Sequence, residues 1–304
     1  MDRELWRLIM DAIYRAARQI EHIGRRPRYP HCLIAAMYLW SVFHDRCLSW
    51  ACDRTHYGSI FRPRKLPSIS QFTRRVKSDA TQQILQHVHQ QLISCGIVSL
   101  SGYFDAKPLA VSPVSKDPQA ARGKITGGYA KGYKLYAFVN ERRRVAVWSV
   151  MPLNWAEQTV AMELCDHLPL PAAPQQMLFM GDKNYDSGPL HRKLEETLQT
   201  PLLVPLRAQG QLRGEQHTAR SWRQITPARR DVIRLWQTNP ALSRYVLKAR
   251  NNIEGVFSVM SVALGLDRLP GFVRRLHRVR RWVGAKIILY HARVLAQERL
   301  AANV

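Results

Sequence analysis

Three acidic side chains in this 304-residue chain stand where a charge is out of keeping with its surroundings. Asp105 closes the run GIVSLSGYFDA, which is β-branched and then aromatic. Asp182 follows the apolar run QMLFMG and opens the turn DKNYDS. Glu254 lies in KARNNIEGVFSVMSVAL, where Ile253, Val256, Phe257, Met260 and Leu264 recur at helical spacing and set the glutamate at the edge of an apolar face that could bury it against a sheet. A carboxylate is not left buried and unpaired. A doubly charged cation would satisfy all three, and oxygen donors suit magnesium or manganese. Such a cluster serves attack on a phosphodiester: two ions about 3.5–4 Å apart activate a water or a 3′-hydroxyl and stabilise the leaving oxygen in line with it. The same residue types also have ordinary structural uses, an aspartate in a turn and a glutamate on a solvated helix. Asp186 and Asp117 are the nearest competitors for the chemical role.

Basic residues accompany the acids. Lys131 and Lys134 enter a strand close to where Asp105 should point, and Lys183 directly follows Asp182; as mobile point charges they could hold phosphates. Arg250, one helical turn before Glu254, could orient that carboxylate or grip a scissile phosphate.

The whole chain agrees with a phosphate-rich partner. Lysine and arginine number 46 against 22 aspartates and glutamates, a formal charge of +24, and an excess that large repels itself unless a polyanion is bound. Nucleic acid is the first candidate and anionic membrane the second. No apolar run approaches the ~18 residues of a spanning helix, and the N-terminus mixes acids and bases where a signal peptide needs a continuous apolar stretch. A cytoplasmic, nucleoid-associated protein of prokaryotic type is expected. The five cysteines, Cys32, Cys47, Cys52, Cys95 and Cys165, form no C-x-x-C pair and read as reduced core residues.

The elements that must position these groups change period near residue 97. Before it the chain reads as helical: Leu5, Leu8, Ile9, Ile13 and Ala17 share one face, and HCLIAAMYLW is a second apolar helix. Pro67, with Ser68 or Ser70 as N-cap, opens a short polar helix carrying Gln71, Thr73, Arg74, Arg75 and Lys77, a pattern that fits a DNA-reading helix or a solvated helix of a bundle. After it, YKLYAFVN and RVAVWSVMP read as a hairpin following the strand that ends at Asp105. A helix, the buried strand QMLFMGD, a second helix and the strand PLLVPL come next, which is an α/β pattern with a mixed sheet. The Pro-, Gly- and Ser-rich segment between Asp105 and the hairpin is too long for an idle connection. Residues 207–239 read as an irregular basic insertion. In the C-terminal helices Arg274, Arg275, Arg278 and Arg281, with Arg280 and His277, lie beside an apolar stripe and could track a DNA backbone. Trp40, Trp50, Trp155, Trp222, Trp236 and Trp282 could stack on unpaired bases, although most buried tryptophans are core residues.

The ordered motifs YFDAKP, KGYKLYAFVN, MGDKNYDS and ARNNIEGVFSVM resemble the DDE transposases of the IS4 and IS5 insertion-sequence group over about residues 100 to 295. The resemblance implies an RNase H-like mixed sheet flanked by helices. An all-helical DNA-binding and assembly domain would occupy 1–96, and the catalytic domain with long C-terminal helices 97–304. It makes Asp105, Asp182 and Glu254 the three metal-binding acids, with two Mg2+ or Mn2+ ions. It implies DNA strand cleavage and 3′-OH strand transfer at insertion-sequence ends, with terminal inverted repeats and target DNA as partners and a homodimer on DNA. The chain departs from the group's pattern at four places. Asn184 stands for a glycine whose left-handed backbone asparagine tolerates, Tyr136 for a histidine, Leu247 for a tyrosine and Ser261 for a lysine. A catalytically inactive or domesticated DNA-binding protein, and a stand-alone metal-dependent nuclease, are the rival readings.

Overall fold

The computed structural model describes residues 1–20, 28–94, 101–168, 178–205 and 226–302, apart from the side chains at 240, 242–244, 247 and 249. Cys95, Trp222, the side chain of Leu247, the expected strand start at 97–100 and residues 207–225 of the expected insertion lie outside the described residues. The chain forms two compact units, Met1–Gly96 with Val259–Val304, and Ile97–Ser258. The boundary near 96 coincides with the change of sequence period. The C-terminal segment, by contrast, groups with the helical unit and not with the sheet, because its apolar stripe packs on helices.

In the helical unit, α1 (Asp2–Ile20), α2 (His31–Phe43), α4 (Asp79–Ser94) and α9 (Leu276–Ala302) pack on one another. The stripe expected on α1 is buried through Leu5, Leu8, Ile9, Ile13 and Ala17, and α9, which packs on α1, α2 and α4, buries Val279, Val283, Ile287 and Tyr290. α2 is apolar on all sides and buried from Ile34 to Val42. The short helix α3 (Ile69–Val76) starts at Ser68, whose hydroxyl accepts the Gln71 N–H while the Gln71 side chain returns to the Ser68 backbone, a reciprocal capping box. Trp6 and Trp40 meet edge to face at 4.8 Å between ring centroids, so these tryptophans serve the core. No helix among the described residues is long and apolar enough to cross a membrane.

The second unit is built on a six-stranded mixed sheet. β1 (Gly102–Ala110) is central, antiparallel to β3 (Gly128–Asn140) on one side and parallel to β5 (Phe179–Gly181) on the other. β5 continues to a parallel β6 (Leu202–Leu203), while β4 (Val145–Pro152) and β2 (Ala121–Ile125) pair antiparallel with β3. One face is covered by α5 (Glu157–Cys165) and α6 (Gly188–Leu198), over a core of Phe104, Phe138, Phe179, Tyr185, Leu190 and Leu194. This is the expected mixed sheet flanked by helices.

Three expectations need correction. Asp105 does not end its strand; β1 runs on to Ala110, because pairing with β3 continues through Ala110 opposite Gly132. The Pro- and Gly-rich segment that follows is not wholly loop, since it holds β2 and lengthens β3. Of the region 207–239, Pro227–Thr238 is a regular helix, α7, with Thr226 capping the Arg229 N–H and proline in its first turn, and α8 (Pro240–Val262) follows.

Candidate active site

The parallel pairing of β1 with β5 sets the site. Phe104 lies opposite Gly181 in the register, so Asp105 and Asp182 are the next residues along two adjacent strands running the same way. Phe104 is buried among Phe138, Phe179 and Tyr185, and strand alternation turns Asp105 to the opposite face. Asp182 leaves β5 and caps a single 3-10 turn, Lys183–Tyr185, by accepting the Asn184 N–H at 2.7 Å. Tyr185 folds back beneath this turn, and a Cβ on Gly181 would lie 3.1 Å from its side chain. The turn therefore needs a small residue there.

Asn184 does more than tolerate the turn. Its side-chain amide donates to Asp182 Oδ2 at 3.1 Å, which fixes the second oxygen of the carboxylate. The left-handed backbone inferred for this position is not found, since Asn184 sits in the middle of the 3-10 turn and is absent from the positive-φ residues.

The electrostatics of the two aspartates are those of an unneutralised pair. Burial pushes the Asp105 carboxyl up to about 7; the Ala106 N–H donated to it works against this, the charge on Asp182 adds to it, Arg250 lowers it and Glu157 raises it again. Asp182 is likewise raised by burial, held down by the Asn184 N–H, raised by Glu157, and lowered by Arg250 and Lys183. Buried Tyr103, two residues before Asp105 on the same face of β1, lies within electrostatic reach of Asp105, Arg250, Asp182 and Glu254 together. The charges of all three acids therefore act on this one tyrosine.

A shared tyrosine is not yet a metal cage. Glu254, on α8, has a side chain 52% exposed rather than buried against the sheet, and its Oε1 lies 2.9 Å from Arg250 Nε. Among the described residues no group of three or more His, Cys, Asp or Glu side chains is placed to hold a metal ion. The expected metal triad is thus not assembled among the described residues: Glu254 is half exposed and lies against Arg250. The two aspartates do fit an oxygen-preferring divalent cation: both are acidic, their oxygens project from adjacent strands, and each is destabilised as an anion by burial and by nearby carboxylates.

The accompanying lysines divide. Lys183 is exposed directly after Asp182. Lys134 Nζ is paired with Glu157 Oε1 at 2.9 Å. Lys131, expected near Asp105, instead donates from Nζ to the Ser115 carbonyl at 2.9 Å and braces the segment before β2. Tyr136, in the place of the histidine, donates its hydroxyl to the Trp155 carbonyl.

Both competing aspartates are structural. Asp186 is buried and receives Arg229 through two bonds, Nε at 2.6 Å and a terminal NH2 at 2.7 Å, with His191 Nε2 at 3.3 Å. Asp117 accepts the Tyr133 hydroxyl and the Gln119 N–H. Glu157 went unnoticed in the sequence because WAEQTVAMELCDHL reads as an ordinary amphipathic helix and gives no sign that its first turn abuts the site.

The helical unit offers a separate basic face. Arg74 of α3 and Lys77, which caps its C-terminus, with Ser70, Thr73 and Ser78, line an open cavity of about 640 Å³. His277 is held below its usual range by burial first and then by Arg281, Arg278, Arg275 and Lys77, so the end of α3 and the start of α9 share one cationic patch. Arg274, Arg275 and Arg278 are exposed, while Arg75 and Arg281 are partly buried.

Residues 102–291 match the family profile described as a transposase DDE domain. Among curated protein sequences nothing matches. A solved cryo-EM structure, that of a piggyBac transposase synaptic complex with hairpin DNA, aligns with 98% of this chain and 75% of its own at a TM-score of 0.50 and 10% identity. At that identity the likeness speaks for the fold.

Proposed function

The chain belongs to the DDE transposase family, and from that premise we propose that it cuts and joins DNA at the ends of an insertion sequence of the IS4/IS5 type. The observation that supports this reading is the register of Phe104 opposite Gly181, after which Asp105 and Asp182 are the next residues of the two chains, with Glu254 and Arg250 in electrostatic reach of the same tyrosine.

Asp105 and Asp182 would hold Mg2+ or Mn2+, with Glu254 joining once Arg250 releases it. Bound divalent ions supply Lewis-acid stabilisation of the attacking and leaving oxygens, and two such ions are the expected complement. The chain's own groups do the rest. Asn184, through its backbone N–H and its side-chain amide, fixes both oxygens of the Asp182 carboxylate against the turn that it caps. Lys183, exposed beside it, takes a phosphate oxygen as a point charge. Arg250 would exchange the Glu254 carboxylate for the scissile phosphate, to which its planar guanidinium can bond twice. Lys134, paired with Glu157, would serve as a further cation for the DNA. Hydrolysis of the phosphodiester at the element's end frees a 3′-hydroxyl, and that hydroxyl attacks a phosphodiester of the target.

The cationic patch of Arg74, Lys77, Arg274, Arg275 and Arg278 would hold double-stranded DNA of the terminal inverted repeats, since backbone contacts give affinity and position without reading sequence. Arg75 and Arg281, partly buried, flank it. Processing both ends of an element together calls for a homodimer on the DNA.

A supercoiled plasmid carrying the DNA that flanks the gene, incubated with protein and Mg2+, tests the reading. Joined products support transposition and nicks alone a nuclease. A mobility shift without either leaves a DNA-binding protein, and Asp182→Ala must abolish both cleavage and joining.

A further inference from the structure

The β2–β3 hairpin outruns the sheet that carries it. β1 pairs with β3 only as far as Ala110 opposite Gly132, and β4 only as far as Pro152 opposite Tyr133. In the strand ladder, residues 128–131 of β3 pair with β2 alone, so the hairpin leaves the sheet as a two-stranded ribbon. Cross-strand partners share a face, and the register sorts this ribbon by chemistry. Arg122 lies opposite Lys131 and Lys124 opposite Tyr129, while the other face holds Ala121 opposite Gly132, Gly123 opposite Ala130 and Ile125 opposite Gly128. The small face is turned to the body of the unit: a Cβ on Gly123 would stand 2.6 Å from the Leu153 carbonyl oxygen, just after β4. The cationic face is therefore the outer one. Arg122 and Lys124 are exposed and take part in no ion pair among the described residues, and Tyr129 is 79% exposed. Gly127, at a φ of +85°, closes the two-residue loop, and a Cβ on it would meet nothing within 4 Å, so the tip stands clear. Folding gains nothing from gathering like charges and an open aromatic ring on one side of a ribbon. A polyanion does.

The same register ties the outer face to Asp105. Asp105 lies opposite Ala137, and the pairing runs without a break from there to Gly132. Ala137, Tyr133, Lys131 and Tyr129 alternate along one strand and so share the face of Asp105. Between the two ends the face is roofed by the segment after β1, where Asp117 accepts the Tyr133 hydroxyl and the Ser115 carbonyl accepts Lys131 Nζ. It opens again at Lys124 and Tyr129. Ala137 and Tyr129 are eight positions apart, up to about 26 Å of strand, and a duplex rises about 3.4 Å per base pair. We propose that the β2–β3 ribbon is a DNA-binding element of the sheet unit: its outer face enters the major groove of the duplex to be cut, within about eight base pairs of the cleaved bond, with Arg122 and Lys124 on phosphates and Tyr129 against base edges. A major groove about 12 Å wide admits a two-stranded ribbon. The distance rests on the reading of Asp105 as part of the cutting site, whereas the ribbon's hold on DNA does not.

Full-length protein and a duplex of the DNA that flanks the gene test it, with chelator present so that the duplex stays whole. Tyr129→p-benzoylphenylalanine puts a photoreactive group at the tip, and its cross-links should cluster in one short stretch within about eight base pairs of the bond that is cut when Mg2+ is supplied. Arg122→Ala with Lys124→Ala should weaken binding about tenfold at about 100 mM salt and lower the slope of log K against log salt by about 2. The melting temperature should not move, because both side chains are exposed. Tyr129→Ala should weaken binding about threefold or more and leave the slope alone, since the ring carries no charge. Wild-type affinity and slope in the double variant overturn the inference. So does the absence of cross-links, their even spread along the duplex, or their restriction to unrelated DNA. Asp182→Ala reports on the cutting site separately: it should lose cleavage and keep the cross-link. A wild type that cross-links at the tip and cuts nothing would remove the transposase reading and leave the ribbon's hold on DNA standing.

Discussion

Arg250 Nε lies 2.9 Å from Glu254 Oε1 across one turn of α8, yet the contact lacks hydrogen-bond geometry and both side chains are roughly half exposed. It is a charge contact, loosely held, and a loosely held pair is easily exchanged. An exposed i, i+4 pair contributes only about 0.3–0.5 kcal/mol to a helix. Glu254 can therefore leave Arg250 for a metal ion at little cost, and Arg250 can then turn to a phosphate.

That exchange sets the first prediction. Glu254→Gln should reduce strand cleavage by about 100-fold or more while the melting temperature stays within about a degree, since little folding energy is lost. Arg250→Lys should also impair cleavage, by roughly tenfold or more, because an ammonium cannot hold a carboxylate or phosphate at two points. A plasmid-nicking time course decides both, and wild-type rates for E254Q would remove Glu254 from the chemistry.

Asp105 gives a pH dependence with a definite sign. Its folded carboxyl is raised to about 7 from an ordinary value near 3.8, mainly by burial. Between those values the folded protein keeps a proton that the unfolded chain has released, so metal-free stability falls as pH rises from about 4 to 7 and stays low above. Asp105→Asn should abolish that contribution, stabilising the metal-free protein by about 1–3 kcal/mol at pH 8 and hardly at all at pH 4.5. Denaturant melts at the two pH values, with chelator present, measure the difference. Adding Mn2+ should restore the wild type at pH 8 and leave D105N where it was.

How much of this was legible in the chain depends on whether the signal was local. Asp182 could be found because a charge after FMG is out of place in a strand. The α1 stripe and the capping box at Ser68 and Gln71 also lie within a few residues of one another. The end of β1 could not be found in the same way: Asp105 looks terminal because the following AKPLAVSP reads as loop, whereas pairing with β3 carries the strand on to Ala110. Glu157 and Lys131 show the same limit from opposite sides. One is brought to the site by the packing of α5, and the other is taken from it by the Ser115 carbonyl. The resemblance named the three acids, but the hold of Arg250 on Glu254 depends on side-chain placement that no motif states.

The buried bond between Asp186 and Arg229 ties α7 to the turn that begins at Asp182. Arg229→Met would take from the buried Asp186 carboxylate the guanidinium that neutralises it, and should destabilise the sheet unit by about 3–5 kcal/mol. Asp186→Asn, which keeps acceptor and shape, should cost less. Thermal melts of both variants test the ranking, and equal loss in the two would mean that the charge is irrelevant.

In the helical unit, Lys286 of α9 is wholly buried and donates to Asp45 Oδ1 at 2.5 Å, while Asp45 is partly exposed at a φ of +54°. The two partners should not be equivalent. Asp45→Ala strands a buried ammonium and should cost about 3–5 kcal/mol, whereas Lys286→Met leaves only a solvated carboxylate and should be close to neutral. Gly265 closes the same corner. Its φ is +65°, and a Cβ would stand 2.6 Å from Asp45 Oδ2. Gly265→Ala should therefore cost about 1–3 kcal/mol. Denaturant titrations of the three variants give the order.

The cationic patch of α3 and α9 predicts how DNA binding responds to salt. Lys77, Arg275 and Arg278 all act on His277, although Lys77 and Arg278 are some 200 positions apart in the chain. One duplex laid across the patch would neutralise several phosphates at once, and each contact releases about one condensed cation. Affinity should then fall steeply between about 50 and 200 mM salt, and Lys77→Ala with Arg278→Ala should lower the slope of log K against log salt by about 2. The loss should be the same for cognate and unrelated duplexes, because phosphate contacts carry no sequence information. Fluorescence anisotropy with both duplexes across the salt range measures it. A slope unchanged in the double variant would place the DNA elsewhere on the protein, and a loss confined to the cognate duplex would make α3 a reader of bases instead of a clamp on the backbone.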